Sequence, residues 1–198
     1  MDVNAHIRKK FRMKGGEILP FTGWLKSDRT HLAELFFEVG YKIGAEIGVQ
    51  AGHNAQVLCQ KNPGLKLFCI DPWTPWENGR PTQHRQNMFF WTAKKNLLRP
   101  GYNVVFIKKK SVEALEDIKD GSLDFVYIDG LHDFDNVMMD VIGWSKKVKS
   151  GGIVSGHDYS EDGGIGVVPA VKAYVEGHCI REWYITRETF PSFFWVKP

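Results

Sequence analysis

Length, composition and charge place this chain among ordinary soluble globular domains. It has 198 residues, of which 43% are hydrophobic and 25% charged, enough for one domain with a sizeable core. A net charge of +3 is too small to indicate a nucleic-acid or membrane partner, and no apolar run is long enough to span a bilayer. The three cysteines are dispersed, which favours a reduced, cytoplasmic protein over a disulfide framework, and the N-terminus lacks a signal-peptide pattern.

Helix and strand patterns alternate along the chain after a polar, basic stretch over residues 1–28, of which residues 14–24 look like loop. Helical spacing of apolar residues predicts helices over residues 29–39, 54–60 (with Asn54 as its cap), 82–98, 112–118, 134–148 and within 166–178. Short apolar runs predict strands over residues 42–49, 66–71, 103–108, 123–129, 151–158, 181–187 and 192–197. This alternation indicates βαβ units and a mostly parallel sheet, whereas the last two strands, with no helix between them, are expected to pair antiparallel.

Large aromatic residues cluster after the second predicted strand. Phe90 and Trp91 lie in a predicted helix and are expected in the core. Trp73 and Trp76 lie in a proline-rich loop, where large side chains are harder to bury. We therefore expect the two tryptophans either to line an acceptor pocket or to cover a cofactor.

Acidic residues fall at or near the ends of four predicted strands, namely Glu46, Asp71, Asp129 and Asp158. In an open parallel sheet, ligands bind beyond the carboxyl ends of the strands. The pattern therefore predicts a functional edge of the sheet where these side chains are exposed to a ligand.

A glycine-containing loop, "AEIGVQAGHNA", follows the first predicted strand. Gly48 and Gly52 allow a tight turn and the close approach of a ligand to backbone N–H groups. The full G-x-G-x-x-G dinucleotide fingerprint is absent. Asp71, at the end of the next strand, is suited to accept hydrogen bonds from two ribose hydroxyls, the alternative being a turn residue before Pro72. The order of loop and acid favours a nucleoside ligand.

Two motifs resemble those of class I S-adenosylmethionine-dependent methyltransferases. "EIGVQAG" is similar to their first motif, with Gln50 in place of the middle glycine. The longer stretch "YIDGLHDFDNVMMDVIGWSKKVKSGGIVSGHDY" resembles the small-molecule O-methyltransferases that modify macrolides and sugars. The resemblance covers about residues 42–196. It leads us to expect an N-terminal arm and helix over residues 1–40 and a methyltransferase domain over residues 41–198.

This resemblance implies an α/β, three-layer Rossmann-like fold with a mostly parallel, seven-stranded sheet and an antiparallel last strand. It also implies S-adenosylmethionine as cofactor. Glu46, Gly48 and Gly52 would face the methionine part of the cofactor, Asp71 its ribose, and Ser111 its adenine.

Asp129 and Asp158, the last two of the acidic residues at strand ends, are candidates for a metal site. Related metal-dependent enzymes carry metal ligands at these positions. Asp129 and Asp158 end strands that are expected to be neighbours, so their carboxylates would converge on Mg²⁺ or another divalent cation, which lowers the pKa of an acceptor hydroxyl. His132 is the candidate general base. His132 and Asp129 are the two candidate catalytic residues. His157 is either a further metal ligand or a hydrogen-bonding support. The alternatives are a surface role for His132 and helix capping by the neighbouring Asp133 and Asp135.

The main interpretation is thus an O-methyltransferase whose acceptor is a small molecule such as a sugar or polyketide. A nicotinamide-dependent oxidoreductase and a catalytically inactive cofactor-binding module are the alternatives. We expect no nucleic-acid or membrane partner, and the sequence leaves a homo-oligomer open.

Overall fold

Helices cover both faces of a single eight-stranded sheet. The computed structural model describes residues 2–13, 21–22, 27–76, 79–161 and 166–198. The strands are β1 (Phe21–Thr22), β2 (Ile43–Ile47), β3 (Lys66–Ile70), β4 (Asn103–Ile107), β5 (Leu123–Ile128), β6 (Val148–Gly156), β7 (Tyr184–Ile185) and β8 (Phe193–Val196). The helices are α1 (Val3–Lys10), α2 (Arg29–Glu38), α3 (His53–Lys61), α4 (Gln83–Leu97), α5 (Ser111–Ala114, continued by a 3₁₀ turn over Leu115–Asp117), α6 (Phe134–Lys147) and α7 (Val167–Gly177).

The strand order is β1-β7-β8-β6-β5-β2-β3-β4. β8 runs antiparallel to both of its neighbours, β6 and β7, and every other pair is parallel. The predicted mostly parallel sheet and the antiparallel last strand are therefore confirmed. β2 to β8 are the seven predicted strands, and the two-residue β1 adds an eighth at the edge beside β7.

The core lies in two layers because the central strands are buried on both faces. All six residues of β5 are buried. Phe125 and Tyr127 point to the layer formed with α1 to α4, where Phe36 stacks on Phe125 at a centroid distance of 4.0 Å. Val126 and Ile128 point to the opposite layer, formed with α5 to α7. The alternation follows from the two-residue period of a strand, and it gives the sheet the apolar interior expected for parallel strands.

Several local expectations were wrong. The basic N-terminal stretch contains the helix α1, which the sequence pattern did not predict. Gly52, not Asn54, caps α3, and Asn54 is buried inside its first turn. Trp73 is fully buried, whereas Trp91 is exposed. Trp91 is exposed because the helical period of α4 turns other side chains inward, namely Gln86, Ala93 and Leu97.

The sequence offers two segments as candidate lids, "ILPFTGW" and "YSEDGGIGV", the first of which is otherwise a packed N-terminal arm. Residues 18–20 and 23–24 of the first and 162–165 of the second lie outside the described residues. Within the described part of the chain, every helix is too short or too polar to cross a membrane.

Candidate active site

The strand register brings the predicted functional positions to one rim of the sheet. Ile47, the last residue of β2, pairs with Ile70 of β3 and with Ile128 of β5. Ile128 pairs in turn with Gly156 of β6. The residues that follow these strand ends therefore lie side by side, as the strand pattern predicted for Asp129 and Asp158.

Gly48 makes the closest backbone approach at this rim. Its φ is +87°, and a Cβ atom built on it would lie 1.9 Å from the carbonyl oxygen of Asp129. Its N–H donates to the carbonyl of Ile70 at 2.9 Å. Any larger residue would push the glycine loop away from the end of β5, so the sequence requires glycine here.

Glu46 lies beneath the loop and has one unpartnered oxygen. The side-chain amide of Asn54 donates to Glu46 Oε1 at 3.1 Å, whereas Glu46 Oε2 and Asn54 Oδ1 are buried without a partner among the described residues. Burial raises the pKa of Glu46 to about 8, so this carboxyl group is largely protonated near neutrality. Buried polar atoms that lack partners are costly, which indicates that a ligand or water satisfies them.

Asp71 ties the glycine loop to the end of β3. Its Oδ2 accepts the backbone N–H of Gln50 at 2.9 Å, and its Oδ1 accepts that of Trp73 at 2.7 Å. Burial raises the pKa of Asp71, and these backbone hydrogen bonds oppose that rise. Each carboxylate oxygen has a second lone pair, so a ribose contact is compatible with the loop contacts.

Replacing Asp71 by alanine is therefore expected to have two effects. Loss of acceptors for two backbone N–H groups should lower the free energy of unfolding by about 2–5 kcal/mol. Loss of the predicted ribose contact should weaken binding of S-adenosylhomocysteine by about 10–100-fold. Denaturant melts and calorimetric titration measure the two effects separately. Asp71→Asn, which keeps one acceptor, should give intermediate values, and unchanged affinity in a folded Asp71→Ala protein would remove Asp71 from the cofactor site.

Ser111 is held by two side chains that sequence reasoning did not single out. Its hydroxyl donates to Asp140, and the indole N–H of Trp144 donates to Ser111 Oγ at 2.7 Å. Burial raises the pKa of Asp140 to about 6. The spacing of Asp140 and Trp144 puts both on the inward face of α6. This spacing is the sequence signal from which the two residues could have been identified. The contact of Ser111 with adenine stays a prediction.

Asp129, His132 and Asp158 form the compact ionisable group at this rim. One ligand atom from each lies within 4.8 Å of the others. His132 Nε2 is 3.1 Å from Asp158 Oδ2 and 3.7 Å from Asp129 Oδ1. The two carboxylates, Asp129 and then Asp158, raise the pKa of His132 above its usual value. Asp158 has a φ of +56°, an uncommon conformation for a non-glycine residue that turns its side chain toward the group.

His157 lies beside this group rather than within it. Its Nδ1 is 3.1 Å from Asp158 Oδ1, and its Nε2 is 2.8 Å from Arg29 Nη2. A guanidinium group has no acceptor, so His157 Nε2 must accept from Arg29 while Nδ1–H donates to Asp158. Both ring nitrogens are thus engaged. The geometry favours a supporting role for His157 over that of a metal ligand.

Arg29 is a third residue that sequence reasoning missed. It begins α2, where Asp28 caps the helix by accepting the N–H groups of Thr30 and His31. It lies 128 residues from His157 along the chain, and no local motif marks it. Asp133, by contrast, caps α6 by accepting the N–H of Asn136, as the capping alternative predicted for it.

The residues present fit both groups that the motifs imply. The two carboxylates are donors that Mg²⁺ or Mn²⁺ accepts, and the imidazole of His132 beside them is suited to accept a proton. The tight turn at Gly48, the unpartnered oxygen of Glu46 and the carboxylate of Asp71 form a cradle along the neighbouring strand ends.

Comparison with known proteins gives a family match that spans this rim. A family described as a methyltransferase domain matches residues 45–159, which include every position discussed at the rim except Arg29. An uncharacterized protein of Sinorhizobium fredii, y4gI, is 36% identical over 121 residues. That match covers 57% of this chain but only 12% of the relative, so the chain spans a small part of that protein's length.

Solved structures share the fold. An O-methyltransferase from Bacillus cereus, determined in complex with S-adenosylhomocysteine, has a TM-score of 0.61 at 16% identity, with 98% of this chain and 89% of that chain covered. An rRNA methylase from Streptococcus thermophilus has a TM-score of 0.61 at 12% identity, covering 88% of this chain and 99% of that one. The N-methyltransferase NodS from Bradyrhizobium japonicum has a TM-score of 0.59 at 16% identity, covering 86% and 94%. The family match extends over more than half of the sequence and these enzymes share its fold, so this chain belongs to the methyltransferase-domain family of class I methyltransferases.

Proposed function

We propose that the protein is an S-adenosylmethionine-dependent O-methyltransferase that acts on a hydroxyl group of a small molecule, with a divalent cation held by Asp129 and Asp158. The observation that carries this proposal is the convergence of Asp129, His132 and Asp158 within 4.8 Å, at the strand ends beside the glycine loop. A methyl acceptor placed there would meet the cofactor, a proton acceptor and a cation site together. The family match also argues against the nicotinamide-dependent alternative.

S-adenosylmethionine supplies an electrophilic methyl group, and a divalent cation lowers the pKa of a bound hydroxyl. Glu46, Gly48 and Asp71 would hold the cofactor beside the ends of β2 and β3. Bound S-adenosylmethionine would give up its methyl group from sulfur to the acceptor oxygen and leave as S-adenosylhomocysteine, while His132 Nε2 would accept the hydroxyl proton. His157, fixed by Arg29, holds Asp158 in position. Alignment of the acceptor with the methyl group accounts for much of the expected rate.

Methyl transfer to a panel of sugar, polyketide and catechol acceptors, followed by mass spectrometry, tests this function. We expect transfer that depends on S-adenosylmethionine and is lost on chelation, then restored by Mg²⁺ or Mn²⁺. Loss of a residue that merely supports a metal ligand typically lowers cation affinity about 10–100-fold. The double variant Asp129→Asn/Asp158→Asn changes the proposed ligands themselves, so its cation affinity should fall by more than that. Asp133→Asn is the matched control, since asparagine caps helices as well as aspartate does.

The outcomes separate the candidate functions. Full activity in the chelated protein would leave Asp129 and Asp158 as substrate-binding groups. Binding of S-adenosylhomocysteine without transfer to any acceptor would support the inactive module instead. Absence of cofactor binding would contradict the proposed function as a whole.

A further inference from the structure

The most exposed large apolar side chains among the described residues gather on one helix. Trp91, Leu98 and Met88 are 64%, 63% and 57% exposed, and Trp76, in the loop before α4, is 51% exposed. At about 100° per residue, Met88, Trp91 and Leu98 fall within about a quarter-turn of one another. Isolated exposed apolar residues are normal, but a contiguous group indicates a contact surface.

α4 is anchored so that this group must face outward. Ala93 and Leu97 are buried on its inner side, and Gly52 at the start of α3 approaches Ala93 closely. At its N-terminal end, the side chains of Gln83 and Gln86 donate to backbone carbonyls of the preceding loop. The helix cannot rotate to bury Trp91 without breaking these contacts.

The same region is strongly basic. Residues 79–112 contain no aspartate or glutamate. They contain eight basic residues: Arg80, Arg85, Lys94, Lys95, Arg99, Lys108, Lys109 and Lys110. The net charge of the whole chain is only +3, so the rest of the chain is net acidic and the total conceals this local concentration.

Most of these cations lack a carboxylate partner among the described residues. Lys109 pairs with Asp117. In the part of the chain that the structure describes, Arg85, Lys94, Lys95, Arg99 and Lys108 have no carboxylate within ion-pair distance.

Three of the unpaired cations lie over aromatic rings instead. Lys94 Nζ lies 4.9 Å from the ring centroid of Phe90 and 5.1 Å from that of Trp91. Lys108 lies over Phe90 at 5.0 Å, and Arg85 lies over Phe89 at 5.5 Å. Cationic head groups thus flank the apolar side chains without being neutralised by acidic residues.

We propose that the α4 face, formed by Met88, Trp91, Lys94, Lys95 and Leu98, docks the protein on an anionic phospholipid bilayer surface. Helices that lie in the bilayer interface combine tryptophan and aliphatic side chains with flanking lysine and arginine. Tryptophan favours the headgroup level, and aliphatic side chains reach the acyl boundary. Lysines extend their charged ends toward lipid phosphates.

The mixture of side chains favours a bilayer over a nucleic acid. Single-stranded nucleic acids bind aromatic platforms and basic residues, but they make little use of exposed aliphatic residues such as Met88 and Leu98. A bilayer interface accommodates aromatic, aliphatic and basic groups on one face.

Docking through this face would bring the rim close to the bilayer. The loop that contains Trp73 and Trp76 starts at the carboxyl end of β3, at the rim, and α4 begins directly after this loop. The N-terminal end of the α4 face therefore lies nearest the candidate active site. This inference does not depend on the proposed function.

Cosedimentation of the full chain with vesicles tests the inference. One set of vesicles contains phosphatidylcholine alone, and the other contains equal parts of phosphatidylcholine and phosphatidylglycerol. We expect binding to the anionic set that weakens as salt is added, because surface charges are screened. Lys94→Gln/Lys95→Gln should lower the partition constant about 30-fold, since each basic residue near an anionic surface contributes about 1 kcal/mol. Trp91→Ser should lower it about 10-fold or more.

Matched controls come from the opposite side of the sheet. Met139→Ser on α6 and Lys172→Gln on α7 replace exposed residues of the same types and should leave the partition constant unchanged. All four variants should stay folded, with melting temperatures close to that of the wild type, because only Lys94 among the altered side chains is half-buried and the others are exposed. Equal losses in the controls, equal binding to both vesicle sets, or no vesicle binding would each overturn the proposal. Binding of a single-stranded polynucleotide without vesicle binding would assign the face to nucleic acid instead.

Discussion

Gly48→Ala is expected to abolish cofactor binding and to destabilise the protein by more than backbone strain alone. The added methyl group would lie 1.9 Å from the carbonyl oxygen of Asp129, which is less than any van der Waals contact permits. The φ of +87° adds a left-handed strain of about 1–2 kcal/mol. Relief of the clash must separate the glycine loop from the end of β5, and both border the proposed cofactor and metal sites.

Gly101→Ala provides a control that separates strain from steric clash. Gly101 has the same φ of +87°, but a Cβ atom there would meet nothing within 4 Å. It should therefore lose only the strain component of stability and keep full affinity for S-adenosylhomocysteine. Urea denaturation and calorimetric titration of both variants make the comparison. If Gly48→Ala were no worse than Gly101→Ala in both measurements, the close approach would not matter for binding.

The mostly parallel pairing of the strands and the meeting of Asp129 with Asp158 were predictable because they depend on periodic patterns. Apolar runs separated by helical spacing indicate parallel strands, and parallel strands end at the same edge of a sheet. Asp129 and Asp158 each follow such a run directly, and β5 and β6 are neighbours. The antiparallel β8 was predictable for a similar reason, since no helix separates it from β7.

Contacts between distant parts of the chain were not predictable in this way. Arg29 reaches His157 from the first turn of α2, across 128 residues of sequence. Trp73 is buried because its backbone takes a φ of +46° and its indole N–H donates to the carbonyl of Gln50 at 2.8 Å. Tertiary geometry decides both contacts, and no local propensity or residue spacing encodes them.

His132→Ala is expected to lower turnover by about 10²–10⁴-fold while leaving the affinity for S-adenosylhomocysteine unchanged. His132 Nε2 is within 3.1 Å of Asp158 and faces the rim where the acceptor hydroxyl would lie. An alanine leaves no group at this position to accept the proton. His178→Ala, which changes an exposed histidine at the end of α7, is the matched control and should keep full turnover.

The pH dependence of the His132→Ala protein discriminates between a base and a bystander. Because Asp129 and Asp158 raise the pKa of His132 in the folded, cation-free protein, their contact contributes stability below the ordinary value of about 6.5. That contribution is lost as the pH rises through the raised pKa, so the stability gap between wild type and variant should narrow with increasing pH. In the cation-loaded protein, the acid limb of the turnover profile should disappear in the variant. Near-normal turnover with the same acid limb would remove His132 from proton transfer. Deprotonation of the acceptor hydroxyl would then depend on the carboxylates and their cation.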